Sequence, residues 1–211
     1  MGPVSTELQE LRIEAESCTR CALSETRNKV VFGEGSSHAD VMFVGEAPGK
    51  DEDLKGKPFV GAAGRLLGEL LEEIALGRDE VYIANVLKCR PPGNRDPRPE
   101  EIDCCKGYLQ QQLEIISPKV VVTLGNFATK LLLRTETGIT RMRGRRYEWW
   151  RDTILIPTFH PAAALRGSSR LPDMRADFEL IRLTLEETTD TSNEEDAPCP
   201  TQDPVQDKLF P

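Results

Sequence analysis

The sequence predicts an α/β protein, a three-layer α/β/α sandwich around a mainly parallel, four-stranded central sheet. Three observations carry that expectation. Apolar runs of strand length at 41–45, 81–89, 119–124 and 153–159 alternate with segments whose apolar residues recur at helical spacing. Each run holds consecutive apolar residues instead of alternating ones, as strands covered on both faces do. Polar residues, Glu46, Asn85 and His160, follow or end three of them. In open parallel sheets the binding site lies beyond the strands' carboxyl ends.

Composition bounds the rest. The chain has 211 residues, enough for one domain with a substantial core. We place that domain at 1–185 and an acidic tail, expected to be disordered, at 186–211. The tail holds eight acids and one lysine, so of the net charge of −8 only −1 belongs to the domain. A nucleic-acid partner is therefore not excluded, because phosphate binding depends on local patches. No apolar run is long enough to span a bilayer, and the amino terminus lacks the shape of a signal peptide, so a cytoplasmic, monomeric protein is expected. Six cysteines in such a chain point to metal or redox chemistry instead of a disulfide framework.

Taken in order, residues 5–16 read as a helix with Leu8, Leu11 and Ala15 on one face and a capping box between Thr6 and Gln9. Cys18 and Cys21 follow as a Cys-x-x-Cys pair, a grip that two thiolates can close on a metal or cluster. Residues 22–40 are polar and turn-rich. The first strand, 41–45, runs into a turn of two glycines and a proline that carries Glu46 and Ala47. Charged residues come next (Asp51 and Asp53 are read as solvated), then Phe59, fenced by Pro58 and Gly61, and a helix bearing Leu66, Leu67, Leu70, Leu71 and Ile74. The second strand, 81–89, carries Asn85 and ends at Cys89. The proline-rich stretch 90–97 must be a loop. A helix from about Arg98 to Ile116 presents Cys104 and Cys105. The third strand is followed by a helix from Gly125 to Leu133, and the basic segment 140–151 reads as an arm or hairpin with Arg143 and Arg145 facing phosphates. The fourth strand ends at His160-Pro161, and a last helix spans about 172–185. The tail closes on Gln206-x-x-Leu209-Phe210.

An acid at a strand end, an aromatic on a tight loop and a helix amino terminus suggest a pocket for a flat, polar ligand. The plain alternative is an ordinary strand–turn–helix unit. The cysteines alone fit zinc almost as well as an iron–sulfur cluster.

Four segments, GEAPG (45–49), GKPFVGAAGRLL (56–67), ANVLKCRPPGNRDP (84–97) and FHPAAAL (159–165), closely resemble the family 4 uracil-DNA glycosylases. The likeness covers about residues 8–185. It implies the glycosylase fold and hydrolysis of the N-glycosidic bond of deoxyuridine in DNA. It also implies a [4Fe–4S] cluster on Cys18, Cys21, Cys89 and Cys105, with Cys104 as a neighbour. Uracil, flipped from the duplex, would stack on Phe59 and be read by Asn85, with Ala47 and Glu52 beside it. His160 would donate to uracil O2, and Glu46 would position the attacking water. Leu165 and Arg166 resemble a wedge that fills the gap left by the base. The terminal Gln206–Phe210 stretch resembles the peptide by which bacterial repair proteins bind the sliding clamp. The rival readings are a non-catalytic iron–sulfur DNA-binding module and, more weakly, an electron-transfer protein.

Overall fold

The computed structural model describes residues 5–190; the amino-terminal four residues and the Gln206–Phe210 peptide lie outside them. In chain order the elements are α1 (Thr6–Glu16), α2 (Leu23–Thr26), β1 (Glu34–Gly35), β2 (Val41–Gly45), α3 (Lys50–Lys55), α4 (Ala62–Glu73) and β3 (Tyr82–Asn85). They continue as α5 (Pro99–Ile116), β4 (Val120–Leu124), α6 (Asn126–Leu132), α7 (Ile139–Met142), β5 (Tyr147–Glu148), β6 (Ile154–Thr158), α8 (Pro161–Leu165) and α9 (Leu171–Asp190).

The sheet has the order β1-β3-β2-β4-β6-β5. Its four central strands are parallel, as the apolar runs predict. Two short antiparallel edge strands bring it to six where the sequence suggests four. Each edge strand is two residues long, too short to leave a periodic signal, and each blunts an open sheet edge.

Side chains alternate across each strand, and the two faces bury separate clusters. Met42, Val44, Tyr82, Ala84, Val121 and Leu155 pack under α1, α5 and α6 with Leu8, Leu11, Leu109, Leu113 and Ala128. Val41, Phe43, Ile83, Val122 and Ile156 pack against α4 and α9 with Leu67, Leu70, Leu71, Phe178 and Ile181. This is the three-layer sandwich.

Four expectations are corrected. Ser5, not Thr6, caps α1, and its side chain accepts no hydrogen bond from the first turn, while its backbone N donates to Ser37 Oγ (3.3 Å). Asp53 is 1 % exposed instead of solvated, because it accepts hydrogen bonds from Asn28 N (2.9 Å), Asn28 Nδ2 (2.5 Å) and Lys29 N (3.4 Å). It pins the 22–40 segment onto α3. The basic segment 140–151 is the expected hairpin, residues 147–148 forming β5 antiparallel to β6, but Arg143, expected to face phosphates, is bound into a carboxylate site. The last helix runs on to Asp190, so the first five residues assigned to the tail are helical.

Candidate functional site

A cleft of about 850 Å³ opens at the carboxyl ends of β2, β3, β4 and β6. Glu46, Ala47, Glu52, Phe59, Asn85, His160 and Arg166 all line it. The polar groups picked out at the strand ends therefore share one rim.

The turn after β2 is fixed from its neighbour. Val86 N donates to Gly45 O (2.9 Å) and Leu87 N to Glu46 O (3.0 Å), so strand-like pairing continues past the end of β3. Glu46 is half-buried, and its carboxyl is raised above the usual range by burial and then by the nearby charge of Asp96. Gly45 leaves room for the Asn85 amide and the Phe59 ring. A Cβ there would lie 2.3 Å from Asn85 Oδ1 and 3.0 Å from the Phe59 ring. Asn85 itself is buried, and its side-chain amide makes no hydrogen bond among the described residues, which leaves its donor and acceptor for a ligand.

Phe59 sits at φ +50°, the left-handed region that a bulky residue rarely adopts. Three contacts hold it there. Glu52 Oε1 accepts from Val60 N (3.2 Å) and Gly61 N (3.4 Å), and Arg78 Nη2 donates to Pro58 O (2.5 Å). Gly64 packs beneath so closely that a Cβ would fall 1.7 Å from Phe59 O. Glu52 thus lines the cleft while spending one oxygen on the loop.

His160 stacks against Phe59, with ring centroids 5.5 Å apart and planes 29° from parallel. Its Nδ1 accepts from Ala162 N at 3.1 Å, so the proton of the neutral ring resides on Nε2. Burial, with Arg166 nearby, pushes its pKa down to about 4, which keeps the imidazole neutral at physiological pH. Sequence alone could not assign the tautomer, because it follows from the local turn of α8.

Around these groups the structure adds Asn94, Arg95 and Asp96 from the proline-rich loop, Asn126 from α6 and Arg170. Arg95 reaches Glu101 of α5 through two bonds of 2.9 and 2.5 Å, which fastens that loop to the helix. Polar residues inside the 90–97 stretch were the available signal for Asp96. Arg170 lies 5.4 Å from the Phe159 ring on α9's approach and had no such signal.

The expected DNA contacts divide. Arg166 lines the cleft at the end of α8, and Leu165, the last residue of that helix, is 52 % exposed but does not line it. Arg145 is exposed. Arg143 is turned inward: its Nε and Nη2 donate to Asp177 at 2.9 and 2.5 Å, and it lies over the Phe159 ring. Thr158 Oγ1 also donates to Asp177 (2.7 Å), so the group steadies the end of β6 before His160.

On the side of the sheet under α1 and α5, Cys18, Cys21, Cys89, Cys104 and Cys105 line one small cavity. The sulfurs differ in their bonding. Lys88 N donates to Cys105 Sγ (3.2 Å) and Arg27 Nη1 to Cys89 Sγ (3.4 Å), whereas Cys104 Sγ donates to Arg20 O (3.3 Å). Cys89 and Cys105 are thus placed as acceptors, as ligating thiolates are, and Cys104 as a thiol. Burial raises the Cys21, Cys89 and Cys105 thiols, the last to about 12, so a bound metal would have to supply the charge that ionises them. Among the described residues no group of three metal-ligating side chains is close enough to hold a single ion. A cluster with one thiolate on each iron fits the donor set.

The fold and the cleft define a class: a three-layer α/β protein that can hold a flat heterocycle between an aromatic face and an amide at the carboxyl edge of its sheet. Residues 32–185 match the family model described as the uracil DNA glycosylase superfamily. The chain is 46 % identical over 183 residues to a type-4 uracil-DNA glycosylase of Sulfurisphaera tokodaii, covering 83 % of each chain. It is 48 % identical over 181 residues to that of Archaeoglobus fulgidus (82 % of this chain, 91 % of the other). To that of Thermotoga maritima it is 45 % identical over 183 residues (86 % and 91 %). The chain belongs to the type-4 uracil-DNA glycosylases.

Proposed function

We propose that this protein is a monofunctional uracil-DNA glycosylase that hydrolyses the N-glycosidic bond of deoxyuridine in DNA, releasing uracil and leaving an abasic site. The observation that carries the assignment to these residues is the convergence of Phe59, Asn85 and the Nε2–H of His160 on one cleft.

A base must leave the stack before its glycosidic bond can be reached. Phe59 supplies a face for the extrahelical ring. The Asn85 amide accepts from uracil N3–H and donates to O4; cytosine presents a bare nitrogen and an amino group there, so both bonds are lost and buried groups are left unpaired. As the C1′–N1 bond breaks, its electron pair moves onto the base and the sugar gains oxocarbenium character. The His160 Nε2–H donates to O2, where that charge collects, and so binds the transition state more tightly than the substrate. A donor of this kind contributes about 10²–10³-fold in rate. Glu46 faces the sugar, orients the water that adds to C1′ and accepts its proton. Its raised pKa suits a base operating near neutrality.

Arg166 at the cleft and the exposed Leu165 beside it in the chain fill the space the base vacates, Ala47 and Glu52 border the uracil, and Arg145 meets phosphate. Arg143 contributes through β6, not by contacting DNA. Cys18, Cys21, Cys89 and Cys105 would hold a [4Fe–4S] cluster that ties α1 and the β3–α5 connection to the core. The chain acts as a cytoplasmic monomer, and Gln206–Phe210 docks on a sliding clamp; deleting 206–211 should abolish clamp binding, and unchanged affinity would sink that part.

The assay is a single-uracil oligonucleotide, treated with the brown, cluster-loaded protein and then with alkali. Strand scission is expected, and Asn85→Ala should lose it while keeping the cluster absorbance. No scission with loaded protein would leave a non-catalytic iron–sulfur DNA-binding module.

A further inference from the structure

Behind the cleft, between β3 and α5, lies a chain of buried polar groups that meets the site only at the Asn85 backbone. Lys88 is 1 % exposed, and its ammonium donates to Asn85 O (2.8 Å) and to Gln112 Oε1 (2.6 Å). Gln112 is fully buried, and its Nε2 donates in turn to Phe32 O (2.9 Å) and Tyr82 OH (3.1 Å). The Phe32 ring lies 6.0 Å from the ammonium. Burying a lysine is costly unless its donors are used, and replacing such a group by an apolar one is often no loss of stability. Its retention therefore suggests positional work.

The geometry says which position. β3 ends at Asn85, whose partner in β2 is Gly45, and beyond it the backbone bonds run from Val86 N and Leu87 N to the β2 turn while the Asn85 carbonyl is taken by a side chain. Lys88 Nζ caps that carbonyl three residues on and so orients the backbone from which the Asn85 amide projects. Lys88 is itself gripped twice by α5. Cys105 Sγ accepts from its backbone N at 3.2 Å, and Gln112, seven residues later on the same face, takes its ammonium.

We infer that Lys88, held by Cys105 and Gln112 of α5, is a positioning residue that sets the Asn85 amide for uracil and couples base reading to the order of the cysteine site. The inference rests on Asn85 being the uracil-reading group.

The experiment is a double-mutant cycle in cluster-loaded protein: Lys88→Met and Asn85→Ala, singly and together. Single-turnover excision is measured over a range of enzyme excess, with oligonucleotide binding by fluorescence anisotropy and cluster absorbance alongside. Lys88→Met should lower the saturating rate by about 10–100-fold, as a displacement approaching 1 Å does. DNA affinity should stay within about twofold, because phosphate contacts dominate it. In the Asn85→Ala background the same substitution should cost less than about twofold, since its route of action is gone. Should Lys88→Met lose its cluster, Gln112→Leu, which frees the ammonium from α5, carries the same cycle. A wild-type rate, or equal losses in both backgrounds, would overturn the inference alone. Full excision by Asn85→Ala would remove the base-reading assignment beneath it.

Discussion

Gly45→Ala is the most economical probe of the cleft, because it adds one methyl group and changes no polar atom. The backbone at Gly45 is one that any residue adopts, so the substitution carries contact and no conformational strain. The new Cβ would lie 2.3 Å from Asn85 Oδ1 and 3.0 and 3.1 Å from two atoms of the Phe59 ring, whereas ordinary contact begins at 3.4 Å. The amide must retreat by about 1 Å, a misplacement that costs about 10²-fold when it affects a reacting geometry. That corresponds to about 2.7 kcal/mol of transition-state stabilisation. Overpacking should also cost about 1–3 kcal/mol of fold stability, a modest fall in Tm that leaves the protein folded at 25 °C. Single-turnover excision of a labelled single-uracil oligonucleotide reads the first quantity, and circular dichroism reads the second. A Gly45→Ala protein excising uracil at the wild-type rate would refute the assignment of Asn85 as the reading group held at this spot.

Cys105→Ser should abolish the visible absorbance of the cluster, while Cys104→Ser, whose thiol already donates to Arg20 O, should keep it. Because His160 is neutral down to a pKa of about 4, the rate should not fall as pH rises through 6.5; a tenfold loss per unit there would mean that an imidazolium donates. The same depression means that the unfolded chain binds more protons between pH 6.5 and about 4, so His160 should lower stability as pH falls through that window, and His160→Gln should flatten that part of a Tm–pH curve. Arg143→Met leaves Asp177 buried without its ion pair and should cost about 3 kcal/mol in urea unfolding. The salt dependence of DNA binding should be unchanged by it, since that side chain is not a phosphate contact.

Much of the site was legible in the sequence because parallel strands place their carboxyl ends together. Glu46, Asn85 and His160 could be assigned to one rim from strand order alone, and Phe59 from the glycines and proline around it. What could not be read depends on distant partners. Asp53 looks like part of a solvated run, and only the fold brings Asn28 and Lys29 to cover it. Arg143 belongs to a basic cluster in sequence, yet Asp177, 34 residues away, turns it inward. Asp96 adds to the rise in the Glu46 pKa that burial begins, across a loop whose prolines announce irregularity but not direction. Lys88 lies in one of the recognisable segments without a role that its type suggests, and Gln112 lies in none; their meaning is an alignment of the end of β3 with α5.

The left-handed Phe59 has a consequence for kinetics. A bulky residue at φ +50° is uphill by about 1–3 kcal/mol, and Glu52, Arg78 and the close approach of Gly64 keep it there in the absence of DNA. On the proposed stacking role of Phe59, its face should be in place before any base arrives, and capture should require no loop to order. The slow event shifts to the nucleic acid: the time a uracil spends outside the helix. Deoxyuridine in single strands, or opposite guanine, leaves its stack more readily than in a U·A pair and should be captured sooner. Such a protein samples the local looseness of DNA first and inspects chemical identity second.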